Sequence, residues 1–232
     1  MLGEKCFKMR RILAVPMVWC ALCGSVALAN SERAIEHSIS GTKLLEQGKL
    51  DAAISEFEAA LAIDSTYVTA QLNLAYSYER TNRTDDAINA YRRTLTLDSN
   101  NFFAHNNLGV LYDRKGNYGE AIAEFQRALK IRPGDTNTQA NLVTAQKNQA
   151  IARERENQIA RAQKQAQANP ANPDGAYQVA RIYAVYGMKE PALEWLKKAV
   201  RNGFKDFSEL KADPGFNNLR EEREFRLLLA GK

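Results

Sequence analysis

The chain has 232 residues, with 32 Lys+Arg against 27 Asp+Glu for a formal net charge of +5, 45% hydrophobic residues, two His and three Cys. This composition suits an ordinary globular chain of one or two domains. It excludes a collagen, a disulfide-stapled miniprotein, a polytopic membrane protein and a strongly disordered chain. The positive excess raises a nucleic-acid reading, which depends on where the charge sits.

Residues 1–11 carry Glu4, Lys5, Lys8, Arg10 and Arg11, a net +3, and Ile12 to Ala29 is an 18-residue run without charge. The run ends Ala27-Leu28-Ala29, ahead of polar Asn30-Ser31-Glu32. A basic head, an apolar middle and small residues before a polar boundary are the parts of a secretory signal peptide, here 1–29. The alternative that stays open is an uncleaved signal anchor, since 18 apolar residues are borderline for spanning a bilayer. Lipidation at Cys20 or Cys23 is disfavoured by the bulky Trp19 and Leu22 that precede them. Each orientation exports residues 30–232, to the periplasm or outside the cell, with no membrane span left after cleavage. Cleavage removes all three cysteines (Cys6, Cys20, Cys23), and with them any disulfide, thiol nucleophile or thiolate metal site. It also removes three of the five charges, leaving +2 dispersed along the chain. That is no basic stripe, so nucleic acid is not an expected partner.

The next segment is periodic. Gly41, Ala53, Phe57 and Ala60 recur 68 residues later as Gly109, Ala121, Phe125 and Ala128, with Ala75, Ala87, Tyr91 and Thr94 halfway. The period is 34, and three units follow without a gap: 34–67, 68–101 and 102–135. Each has two apolar stretches at helical spacing, separated by Gln47-Gly48, Thr81-Asn82 or Lys115-Gly116, pairs that end in a residue tolerant of left-handed backbone. Small residues at the eighth and twentieth positions let two antiparallel helices approach, and Phe57, Tyr91 and Phe125 are expected to fill the seam to the next unit. Such hairpins bury their apolar faces only by stacking.

The third unit, with Leu108, Gly109, Tyr112, Gly116, Ala121, Phe125, Ala128 and Pro133, resembles the tetratricopeptide repeat (TPR) family at its eight signature positions. The second keeps Leu74, Ala75, Tyr78, Ala87 and Tyr91; the first keeps Gly41, Gly48, Ala53, Phe57 and Ala60 but departs at Ser40 and Leu44. The resemblance implies an all-α, right-handed superhelical solenoid of helix-turn-helix hairpins.

Residues 136–169 fill one more slot, but Arg155 stands where a second helix needs a small residue. No Gly or Pro interrupts Thr136 to Asn169, which predicts one long helix of about 30 residues, polar nearly all round in its second half. It is either a solvated connector or a helix that pairs with a partner or second copy. Asn169-Pro170-Ala171-Asn172-Pro173 breaks it. A fourth TPR-like unit, 173–206, carries Val179, Ala180, Tyr183, Gly187, Ala192, Leu196 and Ala199. In the tail, 207–232, Asp213-Pro214 is a helix-start pair, and Leu210, Phe216, Leu219, Phe225, Leu228 and Leu229 are expected to cap the stack.

Chemistry-bearing motifs are missing. Gly41 to Lys49 has the wrong glycine spacing for a phosphate loop, and no nucleophile elbow occurs. His37 and His105 both occupy the fourth position of a first helix, two units apart, and are expected to be packing residues rather than a shared metal site. No catalytic residue, metal or cofactor is assigned. The sequon Asn82-Arg83-Thr84 is explained by the turn that Asn82 occupies.

The resemblance places binding on the concave face lined by first helices. By register this gives Asn73, Tyr76 and Arg80, with Thr69, Leu72 and Glu79, in the second unit. It gives Phe103, Asn106, Asn107, Val110 and Arg114, with Asp113, in the third, and Asn141, Thr144 and Lys147 in the next slot. Asn73, Asn107 and Asn141 share one position, and such amides can pair with an extended peptide backbone. Arg80 and Arg114 suit a carboxylate, unless they pair with Glu79 or Asp113. Tyr76, Phe103 and Val110 can seat apolar side chains. Ser38 and Thr42 stand where the two-lysine carboxylate clamp of some family members would begin, which argues against a carboxy-terminal clamp. The expected function is a non-enzymatic scaffold of the cell envelope that binds a protein or peptide partner. The rival is an assembly subunit that self-associates through the long helix or the stack ends.

Overall fold

A computed structural model of the protein describes residues 15–230, with only the backbone described over 15–30. The first fourteen residues of the expected leader, and the side chains of the rest of it, lie outside the described residues. Every regular element among the described residues is helical. None of these helices is long and apolar enough to cross a membrane. The chain divides within one helix into two compact units, Met1–Gln146 and Lys147–Lys232.

The first unit is a run of antiparallel helices: α1 (Val15–Glu46), α2 (Leu50–Ile63), α3 (Val68–Arg80), α4 (Thr84–Leu97), α5 (Phe102–Arg114), α6 (Tyr118–Ile131) and the start of α7 (Thr136–Ala168). The turns α1–α2, α3–α4 and α5–α6 are one device used three times. Gly48, Asn82 and Gly116 all take positive φ, and the next residue's N–H returns to Leu44, Tyr78 or Tyr112, five residues back. This is the helix stop the dipeptides predicted. The core is built from Ala53, Phe57, Ala60, Leu74, Ala75, Ala87, Tyr91, Leu108, Ala121, Phe125 and Ala128, all buried. Phe57 and Phe125 do more than fill the seam: each ring lies over the glycine of its own unit. A Cβ on Gly41 or Gly109 would stand 2.7 Å from a ring carbon of Phe57 or Phe125.

The second unit contains the rest of α7, then α8 (Pro173–Val185), α9 (Lys189–Arg201), α10 (Phe207–Ala212), a 3-10 turn over Pro214–Leu219 and α11 (Arg223–Leu229). The later part of α7 is not solvated on all sides. Its Ala162 and Ala166 are buried against Val179, and its Gln163 donates to the Tyr183 hydroxyl. Small side chains make this contact possible: a Cβ on Gly175 would come within 3.1 Å of Ala166 Cα. Leu210, Phe216, Leu219 and Phe225 of the tail pack with Tyr177, Ala180, Leu193 and Leu196 of α8 and α9. Asp213-Pro214 starts a 3-10 turn rather than an α-helix. Asp213 accepts from Gly215 N–H at 2.7 Å, from the Tyr177 hydroxyl at 2.8 Å and from Arg181 Nε at 2.9 Å. Burial would raise this carboxyl, but those donors outweigh it and hold it below its ordinary range.

Candidate functional site

The candidate residues of α3 and α5 divide by what their side chains already touch. Phe103 is 48% exposed and Tyr76 36%, large apolar surface for a solvent-facing helix. Phe103 stands edge-on to Phe102, and the Arg132 guanidinium lies 4.7 Å from its ring. Arg80 donates to the Tyr76 hydroxyl at 3.1 Å from the next helical turn. Val110 is half-buried against the core formed by α4, α5 and α6.

The asparagines do not form a uniform free row. Asn73 donates to Thr42 Oγ1 of α1 at 3.4 Å. Asn107 donates to the Tyr91 hydroxyl at 2.9 Å and accepts from Asn106 at 3.0 Å. Asn106 Oδ1 faces the Thr138 hydroxyl of α7 at 3.0 Å. Asn141 is half-buried at the same register on α7. Asn73 and Asn106 therefore stitch neighbouring first helices together, Asn107 ties α5 to the second helix α4, and each keeps part of its capacity for an occupant.

Tyr91 anchors this network. Its hydroxyl donates to Glu79 Oε2 at 3.0 Å, while Glu79 Oε1 faces Arg114 Nη1 at 3.5 Å. Burial, then the Glu79 charge, pushes the Tyr91 hydroxyl far above its ordinary value, so it stays a proton donor. Thus Arg114 does pair with Glu79, whereas Arg80 turns to Tyr76.

Sequence reasoning missed a second repeated contact. His37 and His105 are not mere packing residues. Their Nδ1 atoms lie 2.7 and 2.6 Å from Glu56 and Glu124 of the same unit's second helix. Both pairs are separated by 19 residues, a signal present in the repeat register. In the second unit Gln71 reaches across to the Ala90 carbonyl instead, again 19 residues on. His105 Nε2 also faces the Ser99 carbonyl at 3.1 Å, and Arg127 donates to Glu124.

Two clefts of about 420 and 430 Å³ lie beside these contacts. One is lined by Leu61, Gln71, Ala90 and Arg93, the other by Leu95, His105, Glu124 and Arg127. The four pairs are each one period apart, so the clefts are a single stacking feature seen twice. Neither includes a candidate residue of the first-helix face.

The tetratricopeptide repeat family model matches the chain over residues 40–102 and 72–136. No curated protein matches it. Among solved structures, the first TPR domain of human RPAP3 is similar at 20% identity and TM-score 0.51, covering 53% of this chain and 98% of that one. The first TPR of Spaghetti (RPAP3), bound to the HSP90 peptide SRMEEVD, is similar at 23% identity and TM-score 0.50, covering 53% and 95%. MamA is similar at 21% identity and TM-score 0.50, covering 78% and 96%. These likenesses concern the fold. The helical array, its 34-residue register and the family match together make residues 40–136 a run of tetratricopeptide repeats.

Proposed function

We propose that the protein is an exported, non-enzymatic scaffold that holds an extended segment of a protein partner against the first-helix face of α3 and α5. The observation that carries this reading is the exposure of Phe103 on the helix that also carries Asn106, Asn107 and Arg114, with exposed Tyr76 on α3. Exposed apolar rings together with amide and guanidinium donors suit a peptide, whose apolar side chains need surface to cover and whose carbonyls need donors. The fold supports the reading too, since Spaghetti, similar in fold, is bound to a peptide. Export rests on the basic head, the uncharged run and Ala27-Leu28-Ala29.

The test is to pan a phage-displayed random decapeptide library on the full chain. Synthetic copies of the enriched peptides are then measured against a Phe103→Ser/Arg114→Gln variant. Binding lost with helicity unchanged supports the face; binding retained removes it. Amino-terminal sequencing of the chain from the cell envelope tests export, with Asn30 as the expected first residue. A second reading is favoured by the exposed Val143 and Ile151 of α7, which suit pairing with another copy. A concentration-independent oligomer in light scattering would favour it over the monomeric binding module.

A further inference from the structure

Units one and three carry Phe57 and Phe125 opposite their small first-helix residue, whereas unit two carries Tyr91. All three rings are buried, so a phenyl group suffices for packing. The Tyr91 hydroxyl is an addition, and both its hydrogen bonds go to the candidate face: to Glu79 of α3 at 3.0 Å and from Asn107 of α5 at 2.9 Å.

The chain of bonds has a direction. Asn106 donates to Asn107, Asn107 to Tyr91 and Tyr91 to Glu79, whose other oxygen faces Arg114. Glu79 is the sink, its side chain only 15% exposed, while that of Arg114 is 63% exposed. The carboxylate is spent inside, and the guanidinium offers its remaining N–H groups outward. Asn106 and Asn107 each keep a second amide hydrogen. Asp113, beside Arg114 in sequence, has an interaction of its own. The face therefore presents donors to an occupant more than acceptors.

We propose that Tyr91 and Glu79 are the specificity-determining pair of this face. Tyr91 holds Glu79 where it tempers Arg114, and the occupant is a peptide segment whose acidic side chain takes Arg114 over from Glu79. This rests on the peptide-binding reading above and adds the chemistry of the peptide. Tyr91 acts through Glu79 and is a positioning residue.

The experiment uses the same random decapeptide library and synthetic copies of the peptides that the wild-type chain enriches. Enriched peptides should carry Asp or Glu. Arg114→Gln should weaken them roughly tenfold, the scale of one charge-assisted contact. Glu79→Gln should tighten them about 3- to 10-fold by removing the competing charge. Tyr91→Phe, the residue the sister units carry, should weaken them about threefold, because a released Glu79 pairs more fully with Arg114. In the Glu79→Gln background that loss should vanish, an epistasis that a general loss of packing would not produce. Melting temperatures establish that each variant folds. Affinity unchanged or weakened in Glu79→Gln overturns the proposal, as do enriched basic peptides that Glu79→Gln abolishes. Peptides sensitive to Phe103→Ser and Arg114→Gln but indifferent to Glu79 and Tyr91 overturn this inference alone. A wild-type chain that enriches no peptide overturns the binding reading and this inference with it.

Discussion

Gly109 and Phe125 meet where one more carbon cannot fit: a Cβ on Gly109 would lie 2.7 Å from Phe125 Cε1 and 2.8 Å from Cδ1. The ring is buried, and a close-packed core leaves such a ring little room to shift. Gly109→Leu should therefore overpack the α5–α6 contact and cost about 1–3 kcal/mol. Gly109→Ala should cost less, since unit two pairs Ala75 with Tyr91 at the same positions. Chemical denaturation followed by circular dichroism measures both. An unchanged midpoint for the leucine variant would refute the packing argument.

The two histidine–glutamate pairs share a register but not an environment. His105 and Glu124 are buried, while His37 and Glu56 are about a third exposed. Removing His105 leaves a buried Glu124 oxygen short of a partner, so His105→Ala should cost about 1–3 kcal/mol. His37→Ala should cost about 0–1 kcal/mol, as for exposed pairs in general. Equal losses would show that burial is not what sets the value of this contact.

Asn82 takes φ of 59° where the sister turns use Gly48 and Gly116. A side chain in that backbone region carries strain, which Asn bears better than most residues. Asn82→Gly should leave stability unchanged or raise it by a few tenths of a kcal/mol, and Asn82→Ala should lower it by about 1 kcal/mol. Thermal melts of the pair decide the point.

The parts of this architecture legible in the sequence are those governed by local rules. The left-handed turn residues, the small eighth and twentieth positions and the 34-residue offset each act within a few contacts, and the helices follow them. The direction of the Asn107 amide was not legible, because it depends on a hydroxyl 16 residues away that sister units lack. The burial of Ala162 and Ala166 was hidden for another reason. Alanine in a run of Gln, Arg and Lys has no apolar bulk to mark a face, and only the approach of α8 makes it core. The His–Glu pairs were legible in principle, since the separation of 19 occurs twice, but each residue alone looks like an ordinary surface or packing residue.

Asp213 should give the second unit a dependence on acid. Its folded carboxyl sits below the ordinary 3.8, held there by Gly215 N–H, Tyr177 and Arg181 against the cost of burial. A group depressed on folding contributes stability above its unfolded value and loses it as the pH falls through the folded one. Stability should therefore be constant through neutral pH and decline from about pH 4 downward. Asp213→Asn should lower stability at pH 7 and flatten the acid decline, since an amide neither ionises nor pairs with Arg181. Trp195, packed against the core of this unit, supplies the fluorescence signal. Parallel acid profiles for the wild type and Asp213→Asn would mean that other carboxylates carry the dependence. Asp206 is one such group: the Glu209 N–H and the Ser208 hydroxyl hold it below its ordinary value too, but it is exposed to solvent. Its donors are neutral N–H and hydroxyl groups, so its contribution should change little with salt, whereas the share of Asp213's that comes from the half-exposed Arg181 should fall as salt rises. Repeating the titration at high ionic strength therefore separates the two carboxylates.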